Sequence, residues 1–206
     1  MIVAIDGPAG AGKSTVAQAV AGALGFTYLD TGAMYRCVAL ARKRDPRADL
    51  ASIEIALSGS VRLDGEDVSD EIRSAEITAL SSEVSSDPAV RELMAARQKA
   101  MMANGDWVAE GRDIGTVIAP QAEVKIFLTA DPHERARRRA AQSGRDLDEV
   151  LGEQAMRDSR DSEREVSPLT AAEDALVLDT TELGSDEVVE RIVGMARAAA
   201  STGQQG

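Results

Sequence analysis

The chain has 206 residues, 44% of them hydrophobic but only 2% aromatic, and a formal net charge of −12. That length and apolar fraction support one globular domain with a sizeable core and argue against disorder, while the acidic balance argues against a protein that coats nucleic acid, which needs a basic field. The single cysteine, Cys37, excludes an intrachain disulfide and a zinc cluster and suits a reducing cytoplasm.

Met1 runs directly into the apolar stretch Ile2-Val3-Ala4-Ile5, without a basic n-region or a long apolar segment, so neither a signal peptide nor a transmembrane helix is expected. Trp107-Val108-Ala109, Val124 to Leu128, Ala175 to Leu178 and, more weakly, Thr27-Tyr28-Leu29 are runs of the same kind, bounded by Gly, Pro or Asp. They read as buried strands of a parallel sheet. Helical patterns lie between and beyond them, at Ser14 to Leu24, Met34 to Arg44, Pro88 to Met102, Pro132 to Gln142 and Asp186 to Ala199. The alternation predicts an α/β fold, a parallel five-stranded sheet with helices on both faces. Residues Ser201 to Gly206 read as a frayed tail.

Two stretches break the rhythm. Ser60 to Val68 reads as a β-hairpin around Asp64-Gly65, a type I′ turn signal, so residues 45 to 87 or so are expected to form a small inserted subdomain. Ser143 to Leu169 is polar, rich in arginine and closed by Pro168, more like a mobile lid than a core element.

Gly7-Pro8-Ala9-Gly10-Ala11-Gly12-Lys13-Ser14 satisfies the phosphate-loop pattern and is followed by Thr15, with a strand feeding it and a helix leaving it. Such a loop turns successive N–H groups inward as an anion nest at the positive end of a helix dipole. Residues 7 to 15 are therefore expected to bind ATP, with Lys13 reaching the β- and γ-phosphates and Ser14 coordinating Mg²⁺. The sequence lacks a guanine-reading N-K-x-D motif, and no apolar strand ends in Asp-Glu. GTPases and mechanical ATPases are thereby disfavoured, which leaves a P-loop kinase of a small molecule.

On the acceptor side, Thr31 opens a helix that it can cap, and Arg36 follows one to two turns later. Arg112 and Asp113 follow the Trp107 strand, and open α/β sheets bind ligands beyond the carboxyl ends of their strands. Arg112 can clamp a phosphate, and Asp113 can accept hydrogen bonds from a base or orient water around Mg²⁺. Arg135, Arg137, Arg138, Arg139, Arg145, Arg157, Arg160 and Arg164 crowd one span without a lysine; Arg157, Arg160, Asp161 and Arg164 are expected on one helix face. A salt-bridged surface helix would explain them, as would a lid of guanidiniums closing over transferring phosphates.

The motifs G-P-A-G-A-G-K-S-T, L-D-T-G-A-M-Y-R, L-D-G-E-D-V-S-D-E-I-R, E-G-R-D-I-G-T, V-K-I-F-L-T-A and D-S-E-R-E-V-S-P-L, in that order, resemble bacterial cytidylate kinases over nearly the whole chain. The resemblance implies a P-loop core, an inserted nucleotide-binding part at about residues 32–104 and a lid at about 140–168. It implies cytosine-side contacts at Thr31, Ser82, Arg91 and Asp113, phosphate clamps at Arg36, Arg112 and Arg164, a ribose contact at Asp161 and a lid arginine at Arg157. Lys13, Arg112, Arg157 and Arg164 are then the groups that act on the transferred phosphoryl. The implied partners are ATP, CMP and dCMP with Mg²⁺, and no nucleic acid or membrane; the resemblance also suggests a monomer. A kinase of a small hydroxyl acceptor such as shikimate and a nucleotide-dependent switch remain as alternatives. His133, at a helix start, and Cys37, on the helix after Arg36, are read as structural.

Overall fold

The computed structural model describes residues 1–164 and 166–203. The chain divides into two compact units, Met1–Tyr28 with Met102–Gly206, and Leu29–Met101.

The chain holds a parallel five-stranded sheet in the order β2-β6-β1-β7-β8, with β1 Ile2–Asp6, β6 Trp107–Gly111, β7 Val124–Thr129 and β8 Leu176–Asp179 in the first unit and β2 Thr27–Asp30 at the boundary after Tyr28. β1 lies in the middle, pairing Val3 with Val108 on one side and with Val124 on the other. Val3, Ala4 and Ile5 are wholly buried, as expected of a central parallel strand covered on both faces. The chain leaves β1 toward β2 on one edge and later returns to β7 on the other side. This reversal of strand order opens a crevice beyond the carboxyl end of β1.

Helix α1, Lys13–Leu24, buries Val16, Ala17, Val20 and Ala21, the i, i+1, i+4, i+5 stripe of an amphipathic helix. It stops at Gly25, which takes the left-handed conformation (φ 71°) and donates its N–H to Ala21 O. Val188, Ile192 and Val193 of helix α7, Ser185–Gly203, join the same core as Val16, Val20, Ile5 and Ile126. With hardly any aromatics, cohesion comes from many branched aliphatics, each worth about 1.5–3 kcal/mol when fully buried. Trp107, the one tryptophan of the chain, opens β6 opposite Ile2 and donates its indole N–H to Asn104 O at 2.8 Å. Two further helices, α5 Pro132–Ser143 and α6 Leu147–Glu163, pack on each other.

The second unit holds helices α2 Thr31–Arg44, α3 Ala75–Val84 and α4 Pro88–Met101, and an antiparallel sheet of β3 Ile55–Ser58, β4 Ser60–Leu63 and β5 Glu66–Asp67. The expected turn is present: Asp64 and Gly65 both have positive φ, 50° and 83°, as a type I′ turn requires. Met34, Cys37, Val38 and Leu40 of α2, Ile77 of α3, and Val90 and Met94 of α4 are buried. Cys37 is thus a packing residue, its thiol pushed up to about 11 by burial.

The structure departs from the sequence expectations at several points. β3 and α3 had no counterpart in them. The polar stretch after Ser143 contains a 17-residue helix, α6, whose N-cap Asp146 accepts from the amides of Asp148 and Glu149. Arg164 is not on that helix face; α6 ends at Glu163 and Arg164 has extended backbone. Asp30, not Thr31, caps α2, its carboxylate accepting from Ala33 N at 2.8 Å; a carboxylate there also neutralises Arg36 and faces the positive helix end, which a hydroxyl cannot do as well. The tail expected from Ser201 is helical through Gly203, and residues 204–206 lie outside the described residues. So does Glu165, within the last of the quoted motifs.

Gly7 allows a very close approach of two strands. Its φ is 145°, and a Cβ on it would lie 2.0 Å from the backbone oxygen of Leu128. Gly7→Ala is expected to lower the unfolding free energy by about 2 kcal/mol or more through forced separation of β1 and β7. Urea unfolding checks this, and an unchanged midpoint would refute the packing argument.

Candidate active site

The phosphate loop leaves β1 at Asp6 and enters α1 at Lys13. Gly10 and Gly12 have φ of 78° and 86°, a region L side chains rarely adopt, and Gly10 also lies against the backbone of Arg135. Arg135 is buried and pins the loop from α5: its guanidinium donates to Ala9 O and Ala130 O, both at 3.0 Å, and pairs with Asp158 at 2.6 Å. Lys13 is buried too, and its ammonium donates to Pro8 O at 2.7 Å. Burial, followed by the Arg112 charge, holds this ammonium well below the usual lysine range, against the pull of Glu110.

Ser14 donates its hydroxyl to Glu110 Oε2 at 3.0 Å, and the Tyr28 hydroxyl donates to Oε1 of the same carboxylate. Glu110 is the buried penultimate residue of β6. With the Ser14 proton directed at Glu110, the serine oxygen keeps lone pairs for a hard cation. A hydroxyl backed by one carboxylate, with phosphates as the remaining ligands, fits Mg²⁺. The described residues contain no cluster of three or more acidic, His or Cys side chains that would instead form an all-protein metal cage.

Beside the loop lies a groove of about 480 Å³, bordered by Arg138, Arg139, Gln142, Thr180 and Leu183. Arg138 braces its far wall, donating to the Thr180 hydroxyl and to the carbonyls of Thr180 and Thr181 while pairing with Glu134.

The other half of the first unit collects arginines around one carboxylate. Asp161, 1% exposed, accepts from Arg112 Nε at 2.8 Å and from Arg164. Burial raises its proton affinity, but Arg112, Arg164 and Arg157 together hold the carboxyl below the usual range. Arg112 is held correspondingly high, Asp161 outweighing the cost of burial. Arg157 also acts electrostatically on Lys13. Arg112 is thus paired with Asp161 and not with its neighbour Asp113, which is buried at the start of a π-helical turn, Ile114–Ile118. The rest of the arginine series is divided: Arg137 and Arg145 make surface ion pairs with Glu134 and Glu153, and Arg160 is exposed.

In the second unit, Arg36 pairs with Asp30 at 2.9 Å, next to the buried Thr31 at the start of α2. Ser82 of α3 is buried, with no hydrogen-bond partner for its hydroxyl among the described residues. Arg91 of α4 is buried, donates to Ser85 O at 3.2 Å and lies 5.7 Å from the Tyr35 ring centre.

Asp6, Glu110 and Tyr28 carry much of this geometry and were not singled out from the sequence, and Arg135 and Arg138 were named there only as members of the arginine series. A charged residue ending an otherwise apolar strand was the available signal for Asp6 and Glu110. Nothing local distinguishes Arg135 and Arg138 from the surface arginines beside them.

Residues 3–198 match the family model for cytidylate kinase. A cytidylate kinase of Geobacillus sp. (strain WCH70) is 50% identical over 93% of this chain and 94% of its own length. One of Mycobacterium leprae (strain Br4923) is 49% identical over 96% of each. Among solved structures, a gluconokinase from Sinorhizobium meliloti 1021 (TM-score 0.56, 17% identity, 99% of this chain and 96% of that one) shares the fold. So does a shikimate kinase from Bacteroides thetaiotaomicron (TM-score 0.52, 13% identity, 98% of each).

Lys13 yields a stability prediction opposite to its functional one. Its native proton affinity is below that of the unfolded chain, so between the two values the unfolded chain binds the extra proton and stability rises with pH. Below that window the full cost of a buried charge is present. Lys13→Met is therefore expected to raise the melting temperature of the ligand-free protein at pH 6, with the gain narrowing toward pH 9. Melts at both pH values test this; a gain that does not change with pH would refute it.

Proposed function

This chain belongs to the cytidylate kinase family, and from that premise we propose that it transfers the γ-phosphoryl group of ATP to CMP or dCMP, giving ADP and CDP or dCDP. The observation that carries the reading beyond membership is the convergence of Arg112, Arg157 and Arg164 on one buried carboxylate, Asp161. Three guanidiniums act on this one carboxylate, while the neighbouring Asp158 is paired with Arg135 and Glu110 takes the Ser14 and Tyr28 hydroxyls, a concentration of guanidiniums in a chain whose overall charge is −12. A phosphate acceptor, close to dianionic near neutral pH, uses several guanidiniums at once, whereas the single carboxylate of shikimate needs fewer.

In this reading the donor triphosphate lies along Gly7 to Thr15, with its nucleoside directed toward the groove beside Arg139 and Thr180. Lys13 exchanges Pro8 O for the β- and γ-phosphates, whose charge offsets the burial that weakens its hold on a proton. Ser14, its hydroxyl donated to Glu110, would hold Mg²⁺, which would supply positive charge to the transferring phosphates. Thr31, Ser82, Arg91 and Asp113 read the cytosine, Arg36, Arg112 and Arg164 clamp the CMP phosphate, and Asp161 turns to the ribose. Arg157 adds positive charge near the transferring group. The attacking oxygen belongs to a phosphate whose second ionisation lies near pH ~6, so no general base is required and catalysis reduces to alignment and charge stabilisation. Such an enzyme acts on small nucleotides as a cytoplasmic monomer, without nucleic acid or membrane. Among the described residues no helix is long and apolar enough to cross a membrane.

A coupled assay of ADP release with CMP, dCMP, UMP, AMP and shikimate tests the proposal. Turnover with CMP and dCMP far above the others is expected; shikimate turnover, or ADP release that ignores the acceptor, would overturn it. Arg112→Ala is expected to lower kcat/KM for CMP by at least ~100-fold, as the loss of a preorganised charge donor does, and near-normal turnover would remove Arg112 from the clamp. Asp113→Ala should act on selectivity, because uracil presents an acceptor where cytosine presents its amino donor. The ratio of CMP to UMP specificity constants is expected to fall, and a constant ratio would mean Asp113 does not read the base.

A further inference from the structure

Asp6 closes β1 immediately before the phosphate loop, yet its carboxylate serves a different loop. Oδ1 accepts the Ile114 amide at 2.9 Å and Oδ2 the Gly115 amide at 2.7 Å, across more than a hundred residues of sequence. Both oxygens are therefore committed to backbone, and the side chain is only 5% exposed. The two amides open the π-helical turn that directly follows Arg112 and Asp113. The fit is close: a Cβ on Gly115 would lie 3.4 Å from Asp6 Oδ2 and 3.3 Å from Lys125 Cδ.

A carboxylate is an expensive choice here. Burial pushes Asp6 up to about 6 and the Asp113 charge pushes the same way, opposed by the two amides and by Lys13. The other charged groups on the neighbouring elements are engaged elsewhere, Glu110 with Ser14 and Tyr28 and Lys125 with Asp174. Asparagine has nearly the same shape without the buried charge, but it offers one acceptor oxygen and would point an amino group at the second N–H. Only an ionised Asp satisfies two parallel donors at this reach.

We propose that Asp6 is a positioning residue for the acceptor: by holding the Ile114 and Gly115 amides it sets where Arg112 and Asp113 stand relative to the phosphate loop that begins one residue after Asp6. The inference rests on the assignment of Arg112 and Asp113 to CMP. It gives the donor loop and the acceptor loop a common anchor, so that an error in one is transmitted to the other.

The test is steady-state kinetics of the full chain with Asp6→Asn, Arg112→Ala and the double variant, varying CMP and ATP separately. Asp6→Asn is expected to raise KM for CMP by ~10-fold or more, the effect of losing a hydrogen bond to a charged group, and to move KM for ATP by no more than ~2-fold. In the Arg112→Ala background the same substitution should add less than ~3-fold, since residues acting through one another are not additive. Equal increases in both KM values, or full multiplication in the double variant, would overturn the role of Asp6 while leaving the CMP assignment intact. Normal CMP turnover by Arg112→Ala would remove both. Should Asp6→Asn not fold, amide exchange on the unmodified protein decides: protection of Gly115 is expected to fall as pH drops through about 6 while that of Ile5 holds. A Gly115 to Ile5 ratio unchanged down to pH 5 would overturn the proposal.

Discussion

The backbone of Gly7 passes so close to Leu128 O that no side chain fits between them, and β1, the phosphate loop and β7 meet at that approach. It brings the chain out of the central strand of a sheet whose order reverses at that strand, where a crevice opens beyond the strand ends. α1 then begins directly after a left-handed glycine, Gly12, with no side-chain cap on its first amides among the described residues. A Ser or Asp cap would have stabilised the free helix by about 1 kcal/mol. Its absence leaves the amides available to an anion.

The same tension between stability and purpose runs through the charges. Lys13, Asp6, Glu110, Arg135 and Asp161 are all buried, and burial of ionised groups is costly unless each finds a partner. Each does, and the partners are chosen to fix geometry. Arg135 ties α5 to the loop carbonyl of Ala9, Glu110 gathers the Tyr28 and Ser14 hydroxyls, and Asp161 holds Arg112 in place. The surface pairs, such as Arg145 with Glu153, add little stability. An acidic chain thus balances its buried charges pair by pair, and Arg112 and Arg164 are gathered on the one carboxylate of Asp161.

Much of this was legible in the residues. The inner strands were visible because buried parallel strands are continuous apolar runs, while β8 was expected to be buried yet lies at the sheet edge with Leu176 and Val177 exposed; the phosphate loop was visible because glycine is required where φ turns positive. The Asp64-Gly65 turn was visible for the same reason. β3 was hidden because Ile55, Ala56 and Leu57 are all half-buried and show no alternation. α6 was hidden because two of its three buried residues, Gln154 and Asp161, are polar, which erases the amphipathic stripe. The cap of α2 was misplaced by one residue, since Asp30 and Thr31 are both good caps and only the ion pair with Arg36 separates them. Ser82 and Arg91 came from family resemblance alone. Asp6 and Glu110 carried a signal, a charge at the end of an apolar strand, but their roles were hidden because their partners lie about a hundred residues away.

The scarcity of aromatic residues has a practical side. Trp107 is the only tryptophan, and it begins its strand at the amino-terminal edge of the sheet, beside Ile2, while the phosphate loop leaves from the opposite, carboxyl-terminal edge. Excited at the red edge, the protein carries a single fluorophore, wedged between the first turn of β6 and the Asn104 carbonyl. Its emission therefore records whether the sheet is intact at the edge opposite the phosphate loop, an optical gauge of unfolding.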